Sequence, residues 1–433
     1  MKVDFRFEHH LVKANTKTPI GLMIECTAPG APIAATATVR PSQGVVFVID
    51  RSGSMGSGRL ELVKKTILEL LSRLNRNDFL SVVSFDDTAI VEVEMKRVSD
   101  HNMSEVRRRI SDMRPGGSTN LEMGYRTGIE QASLAGVETK IVLLSDGQAN
   151  TGVVDPALLG QLAARVTEHM ISTSTIGIGT GYDERILDAL AVASNGNHFA
   201  AINLGEAVDG LTAEFDDLLN KTVANLKVSI ELSPRFAGAG ASIRKAQYLR
   251  KFTAQGGLAN AELGDMCSDE EKNFVFELNL GEVDFTDGAS ERAATINIEW
   301  LDLETNQSRS LQTELNVSVV KAEDYVEPAR DEDVLAEVIT IRMQERKEYA
   351  IELMREGRVV EAQALMAELG MEYERMLAEF VGMSSRSRSR MHSEMVDSMS
   401  FSTMYDDEFI KRSTESVNRK RSSKPDPRKK GDV

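Results

Sequence analysis

Residues 44–55 read GVVFVIDRSGSM. Val45, Val46, Phe47, Val48 and Ile49 run without a polar interruption, and the run ends on Asp50. An alternating pattern would mark a strand with one wet face. A continuous one marks a strand buried on both faces, as in the middle of a parallel sheet. Asp50-Arg51-Ser52-Gly53-Ser54 follows at once, a D-x-S-x-S pattern. Beyond it Leu60, Val63, Ile67, Leu70 and Leu71 recur near the helical period. The pentamer therefore joins the end of a strand to a helix. In open parallel sheets that edge, outside the carboxyl ends of the strands, is where ligands bind.

The same alternation continues outward. FLSVVSF (79–85), TAIVEVEM (88–95), KIVLLSD (140–146), STSTIGIG (172–179) and HFAAI (198–202) read as strands. Helical patterns lie near 103–113, 120–135, 155–170, 183–194 and 205–222. Strands alternating with helices at this spacing predict a doubly wound, mostly parallel α/β domain over 44–222, with helices on both faces.

The flanks have a different character. Residues 3–7 (VDFRF) alternate, and 19–26 (PIGLMIEC) form a second apolar run, so 1–43 read as β-strands. LKVSIEL (226–232), NFVFELNL (273–280), AATINIEWL (293–301) and LNVSVV (315–320) place an antiparallel β-sandwich over 223–322. The economical reading is one sandwich, 1–43 with 223–322, into which the α/β domain is inserted. Residues 331–380 read as a helical hairpin broken at Gly357. Its turn, AIELMREGRVVEAQALM (350–366), resembles the turn of a tetratricopeptide unit, but one unit cannot bury a repeat core. Residues 384–433 begin SSRSRSR, are rich in Ser and Met, and carry 12 Lys/Arg against 8 Asp/Glu. With little apolar periodicity, this segment reads as a disordered basic tail.

Composition narrows the function. The chain has 433 residues, 41% hydrophobic and 27% charged, which is ordinary for a folded chain and argues against a mainly disordered one. A net charge of −16 disfavours a whole-chain binder of nucleic acid or of anionic membranes. Cys26 and Cys267 are the only cysteines, too few for a disulfide framework or a Cys-rich zinc site. No apolar run is long enough to insert in a bilayer. The opening MKVDFRFEHHL lacks the apolar core of a secretory signal, so the expected compartment is cytoplasmic.

Two more elements match the first pentamer. Thr119 sits in PGGSTNL (115–121) before a helix, and Ser145-Asp146-Gly147 closes the strand KIVLL. If these strands are neighbours, Asp50, Ser52, Ser54, Thr119 and Asp146 meet at one rim. All five offer oxygen, a donor set for a hard cation such as Mg²⁺ or Mn²⁺ rather than zinc. Singly, each has a plainer reading. Ser52 and Ser54 could form a turn and a helix cap, Thr119 could cap the helix at Asn120, and Asp146 could belong to a turn. Asp86-Asp87 reads as a turn before an edge strand, and Asn150 and Thr151 as shaping the rim.

The segments VVFVIDRSGSM, RPGGSTNLEMG, IVLLSDGQANTG and IGIGTGYDERILDALAVASNGNHF resemble the von Willebrand factor type A domain with its metal-ion-dependent adhesion site. All five site positions of that family are present. The resemblance implies direct metal ligation by Ser52 and Ser54, by Thr119 when ligand is bound, and support from Asp50 and Asp146 through water or hydrogen bonds. It implies Mg²⁺, with Mn²⁺ and Ca²⁺ as alternatives, completed by an Asp or Glu of a partner protein. The implied role is a non-catalytic adaptor or scaffold. The flanking outline resembles intracellular bacterial members and the inter-alpha-trypsin-inhibitor heavy-chain-like group. An accessory subunit of an AAA+ ATPase, or of a kinase/phosphatase stress system, is the alternative. A metal-dependent hydrolase is the third reading, disfavoured because no general base, Walker A motif or nucleophile elbow is evident.

Overall fold

The protein is described by a computed structural model over residues 1–30, 42–194, 196–238, 240–245, 251–285, 290–305, 307–401 and 411. The chain opens with strands β1 (Lys2–Phe7), β2 (Leu11–Lys13) and β3 (Thr18–Thr27). An α/β unit follows: β4 (Gly44–Asp50), α1 (Arg59–Leu70), β5 (Phe79–Phe85), β6 (Ala89–Arg97), α2 (Met103–Asp112) and α3 (Leu121–Ser133). It continues through β7 (Thr139–Ser145), α4 (Pro156–Val166), β8 (Ile171–Ile178), α5 (Glu184–Ala193), β9 (His198–Ala201) and α6 (Leu204–Leu219). The remainder holds β10 (Lys221–Leu232), β11 (Ser242–Lys245), β12 (Lys251–Gln255), β13 (Leu258–Cys267), β14 (Glu271–Leu280), β15 (Ser290–Asp302) and β16 (Gln307–Val320). Helices α7 (Glu332–Arg355), α8 (Val359–Glu379) and α9 (Ser385–Phe401) come last.

The six strands of the α/β unit lie in the order β6-β5-β4-β7-β8-β9, with only β6 antiparallel. The central position of β4 explains its uninterrupted apolar run. Val45, Phe47 and Ile49 pack with Leu60 and Ile67 of α1 and Phe215 of α6. Val46 and Val48 face the other way, into a core that includes Tyr125 of α3, Leu159 of α4 and Leu190 of α5. Each such side chain, fully buried, contributes roughly 1.5–3 kcal/mol. From β4 the chain moves to β5 on one side, and from β7 it moves to β8 on the other. The connections diverge between β4 and β7, so a crevice opens at their carboxyl ends. Asp50 and Asp146 stand there.

The second unit is built from both ends of the chain, its described residues lying in 1–30 and from 221 onward. One sheet has the order β1-β3-β14-β11 and the other β12-β13-β10-β15-β16-β2. Their inner faces share a core that includes Leu22 and Ile24 of β3, Phe274 and Phe276 of β14, Ile230 of β10 and Ile296 of β15. Pairing is antiparallel except for β2 against β16, where Ser318 to Val320 run parallel to Leu11 to Lys13. Strand β3 is buried on both faces, because Met23 and Val275 meet Val334 and Val338 of α7. That second burial is why PIGLMIEC does not alternate.

Helices α7 and α8 join through Glu356-Gly357-Arg358. The amide of Gly357 bonds the carbonyl of Met354, and that of Arg358 the carbonyl of Leu353. This is a Schellman closure, and it requires the left-handed φ of +79° that Gly357 adopts.

One expectation needs correction. The start of the segment 384–433 is not disordered: Ser385–Phe401 forms α9. Its buried positions, Met391, Glu394 and Ser398, keep the helical period, but two of them are polar. Polar contacts dock the helix. Arg388 donates to the carbonyls of Leu377 and Phe380, Arg390 pairs with Glu337, and Gln344 of α7 donates to Glu394. A search for apolar periodicity passes over such a helix. From 402 on, all but Lys411 lies outside the described residues.

Candidate metal centre

Asp50 is the last residue of β4 and wholly buried. One carboxylate oxygen accepts the Ser52 amide at 2.8 Å, and the other accepts the Ser145 hydroxyl at 2.6 Å. Burial pushes the Asp50 carboxyl above its ordinary range. The Ser145 and Ser52 hydrogen bonds oppose this, and the charge of Asp146 adds to it. The first of these bonds folds the chain back directly after the strand, bringing the Ser52 Oγ to 3.1 Å from the Ser54 Oγ. Ser54 in turn donates to Asp146 Oδ1 at 2.6 Å. Asp146 follows β7, the parallel neighbour of β4, so the sheet itself sets these two loops side by side.

Thr119 arrives from a third loop. A Cβ built on Gly147 would lie 3.1 Å from Thr119 Oγ1, 3.5 Å from Ser54 Oγ and 3.8 Å from Asp50 Oδ2. Oxygens from two loops thus lie within 4 Å of one point on a third loop. The five sequence-derived residues are brought together, linked by contacts from Ser52 through Ser54 to Asp146 and around Gly147. Asp50, Ser52, Thr119 and Asp146 are buried, whereas Ser54 is exposed and marks the open side.

The plainer readings of the hydroxyls do not hold. Helix α1 is capped by Gly58 without a side-chain bond, and Ser52 caps nothing through its side chain. The cap of α3 is Asn120, whose Oδ1 accepts the Met123 amide at 3.2 Å. Ser52, Ser54 and Thr119 are therefore not spent on helix ends. Among the described residues no three His, Cys, Asp or Glu gather as a metal cluster. A cation at this rim would depend on the hydroxyls, and three hydroxyls with two carboxylates fit a hard, oxygen-preferring cation.

Supporting residues frame the loops. Arg51 pairs with Asp86 at 2.8 Å, and Asp86 accepts the amides of Thr88 and Gly117. Burial pushes Asp86 up, but those amides and Arg51 outweigh it and hold it below the ordinary carboxylate range. The Gly116 amide donates to the Arg51 carbonyl at 2.6 Å, and the Gly53 amide to the Gly117 carbonyl at 3.0 Å. A Cβ at Gly116 would displace the Asp86 carboxylate that pairs with Arg51, and one at Gly117 would displace that of Asp87. Asn150 accepts the Thr119 amide at 3.0 Å and fixes the third loop. Arg59, the first residue of α1, reaches Asp146 Oδ2 at 2.5 Å. Asp86 does more than form a turn. Ser145 and Arg59 have no signal in the sequence, because the carboxylate that each reaches lies far away in the chain.

The fold and rim define a class. Residues 44–214 match the von Willebrand factor type A domain, and this stretch of the chain is such a domain. The family commonly mediates protein–protein interaction and typically binds a divalent metal. The uncharacterized protein sll0103 of Synechocystis sp. is 26% identical over 302 residues, 68% of this chain and 70% of that protein. Inter-alpha-trypsin inhibitor heavy chain H3 of Pongo abelii is 26% identical over 163 residues, 36% of this chain but only 19% of that one. Two solved structures share the fold over nearly the whole chain. The ArnB paralog VWA2 from Sulfolobus acidocaldarius has a TM-score of 0.61 at 17% identity, covering 97% of both chains. The von Willebrand factor type A protein from Catenulispora acidiphila has a TM-score of 0.64 at 14% identity, covering 92% of this chain and 96% of that one. Among the described residues no helix is long and apolar enough to cross a membrane.

Proposed function

We propose that the chain is a metal-dependent protein-docking module. In this reading Ser52, Ser54 and Thr119 hold Mg²⁺ through their hydroxyls, and Asp50 and Asp146 orient those hydroxyls and metal-bound water. The observation that carries it is the convergence of Thr119, Ser54 and Asp50 oxygens around Gly147. A bound dication would supply an open coordination position with unspent positive charge. Neutral hydroxyls do not cancel that charge, so an Asp or Glu of a partner protein is the fitting ligand. In this reading the chain acts as an adaptor, its open coordination position taken by the partner's carboxylate.

Titration calorimetry with Mg²⁺ tests the reading. Wild-type protein takes up one equivalent, and Asp50→Ala and Thr119→Ala lose at least about tenfold in affinity while still melting cooperatively. Unchanged affinity in both variants would remove these residues from the site.

A further inference from the structure

Arg59 stands apart from the other cations near the rim. Arg51 is matched by Asp86, and that pair adds no net charge. Arg59 instead donates from Nη1 to Asp146 Oδ2 at 2.5 Å and to the Ser54 carbonyl at 3.2 Å. The Asp146 side chain is completely buried, and that of Arg59 is about one-third exposed. Both oxygens of Asp146 are thus engaged, one by Ser54 and one by a guanidinium that the first turn of α1 carries. The acidic half of the centre holds two carboxylates and this one tethered cation.

Charge counting gives the consequence, and it rests on the metal-docking reading above. A dication with Asp50, Asp146 and Arg59 leaves the loaded centre with one net positive charge. Without Arg59 the same centre would be neutral. We infer that Arg59 sets the charge of the loaded centre, weakening capture of a bare dication and making an anionic oxygen from outside a part of stable binding. The guanidinium repels the dication and screens the two carboxylates that would attract it. A carboxylate ligand removes the excess charge. Metal and ligand then favour one another, each tightening the other by the same factor. Arg59 acts here through Asp146, as a positioning and charge-setting residue.

The competing account is that Arg59 only holds Asp146 in place. The two accounts predict opposite signs for Arg59→Gln. Mn²⁺ titrations, with and without acetate, of wild type, Arg59→Gln and Arg59→Lys decide between them. Thermal melts of the metal-free proteins report folding. If Arg59 sets the charge, Arg59→Gln binds Mn²⁺ alone about tenfold more tightly than wild type. Acetate then tightens Mn²⁺ binding in wild type and Arg59→Lys but has little effect in Arg59→Gln. Equal or weaker Mn²⁺ binding by a folded Arg59→Gln overturns the inference and leaves the metal reading standing. No Mn²⁺ uptake by wild type or by Arg59→Gln overturns the metal reading, and the inference falls with it.

Discussion

Asp50 at the end of β4 and Asp333 in the first turn of α7 are both buried carboxylates beside a second aspartate. Their surroundings differ in kind. Arg6 donates Nε and Nη2 to the two oxygens of Asp331, at 2.8 and 2.7 Å, and Nη2 again to Asp333 at 2.9 Å. Asp331 also caps α7 by accepting the amides of Asp333 and Val334, and Asp333 accepts the Ser384 amide at 2.9 Å. Burial pushes Asp333 up, yet bonds from Ser387, Ser384 and Arg6 outweigh it and hold it below the ordinary range. At Asp50 burial wins and the shift is upward. One cluster is closed by amides and a cation of its own. The other is closed on Asp50 by hydroxyls and a single amide, its one cation, Arg59, pairing with Asp146 instead, so the Asp50 charge is left for an outside cation to answer. Identical residue types thus build a joint in one place and a receptive site in the other.

Stability measurements can break that contrast. The largest effect belongs to Arg6→Ala, which strands Asp331 and Asp333 together. Denaturant melts should lose about 2 kcal/mol, since the bonds broken are charge-assisted but only part-buried. A loss under about 0.5 kcal/mol would mean that the joint does not need its cation.

Acid should separate the clusters next. Because Asp333 titrates lower in the folded protein, its stabilisation is fully present above its unfolded value, about pH 4. It is lost as pH falls through the lower folded value. Urea melts from about pH 5 downward should show a smaller loss for Asp333→Asn than for wild type. Parallel curves would contradict the assignment.

Asp50 has the opposite sign: with its folded value raised, stability falls as pH rises from the unfolded value, about pH 4, through the folded one. Asp50→Asn should therefore raise the melting temperature of the metal-free protein while removing metal uptake. A lower melting temperature would make Asp50 a structural residue like Asp333.

The smallest effects distinguish a cap from a ligand within one loop region. Asn120→Ala removes a helix cap and should cost about 1 kcal/mol. Ser52→Ala removes a hydroxyl that bonds Ser54 and Asp50 but caps no helix, and should change metal-free stability by less than about 0.5 kcal/mol. Equal losses would restore the capping role to Ser52.

The parts legible in the sequence were those with a period or a contiguous motif. The run from Val45 to Ile49 announced a central strand because both of its faces are buried, and D-x-S-x-S announced its rim because the loop is contiguous. Helix α9 was missed because polar residues fill its buried positions. The roles of Ser145 and Arg59 were hidden for another reason: the carboxylates they reach are 95 and 87 residues away in the chain, which leaves no periodic trace. Arg6 is the extreme case, reaching Asp331 from 325 residues away.

The most direct test of the central claim is anomalous diffraction from crystals grown with Mn²⁺. The account predicts one strong anomalous peak beside Gly147, about 2.1–2.3 Å from the hydroxyls of Ser52 and Ser54, with a further oxygen ligand completing it. Occupancy should fall in Asp50→Ala crystals soaked at a Mn²⁺ concentration near the wild-type dissociation constant. A peak elsewhere on the protein, or none here at saturating Mn²⁺, would contradict the claim that this rim is a metal centre.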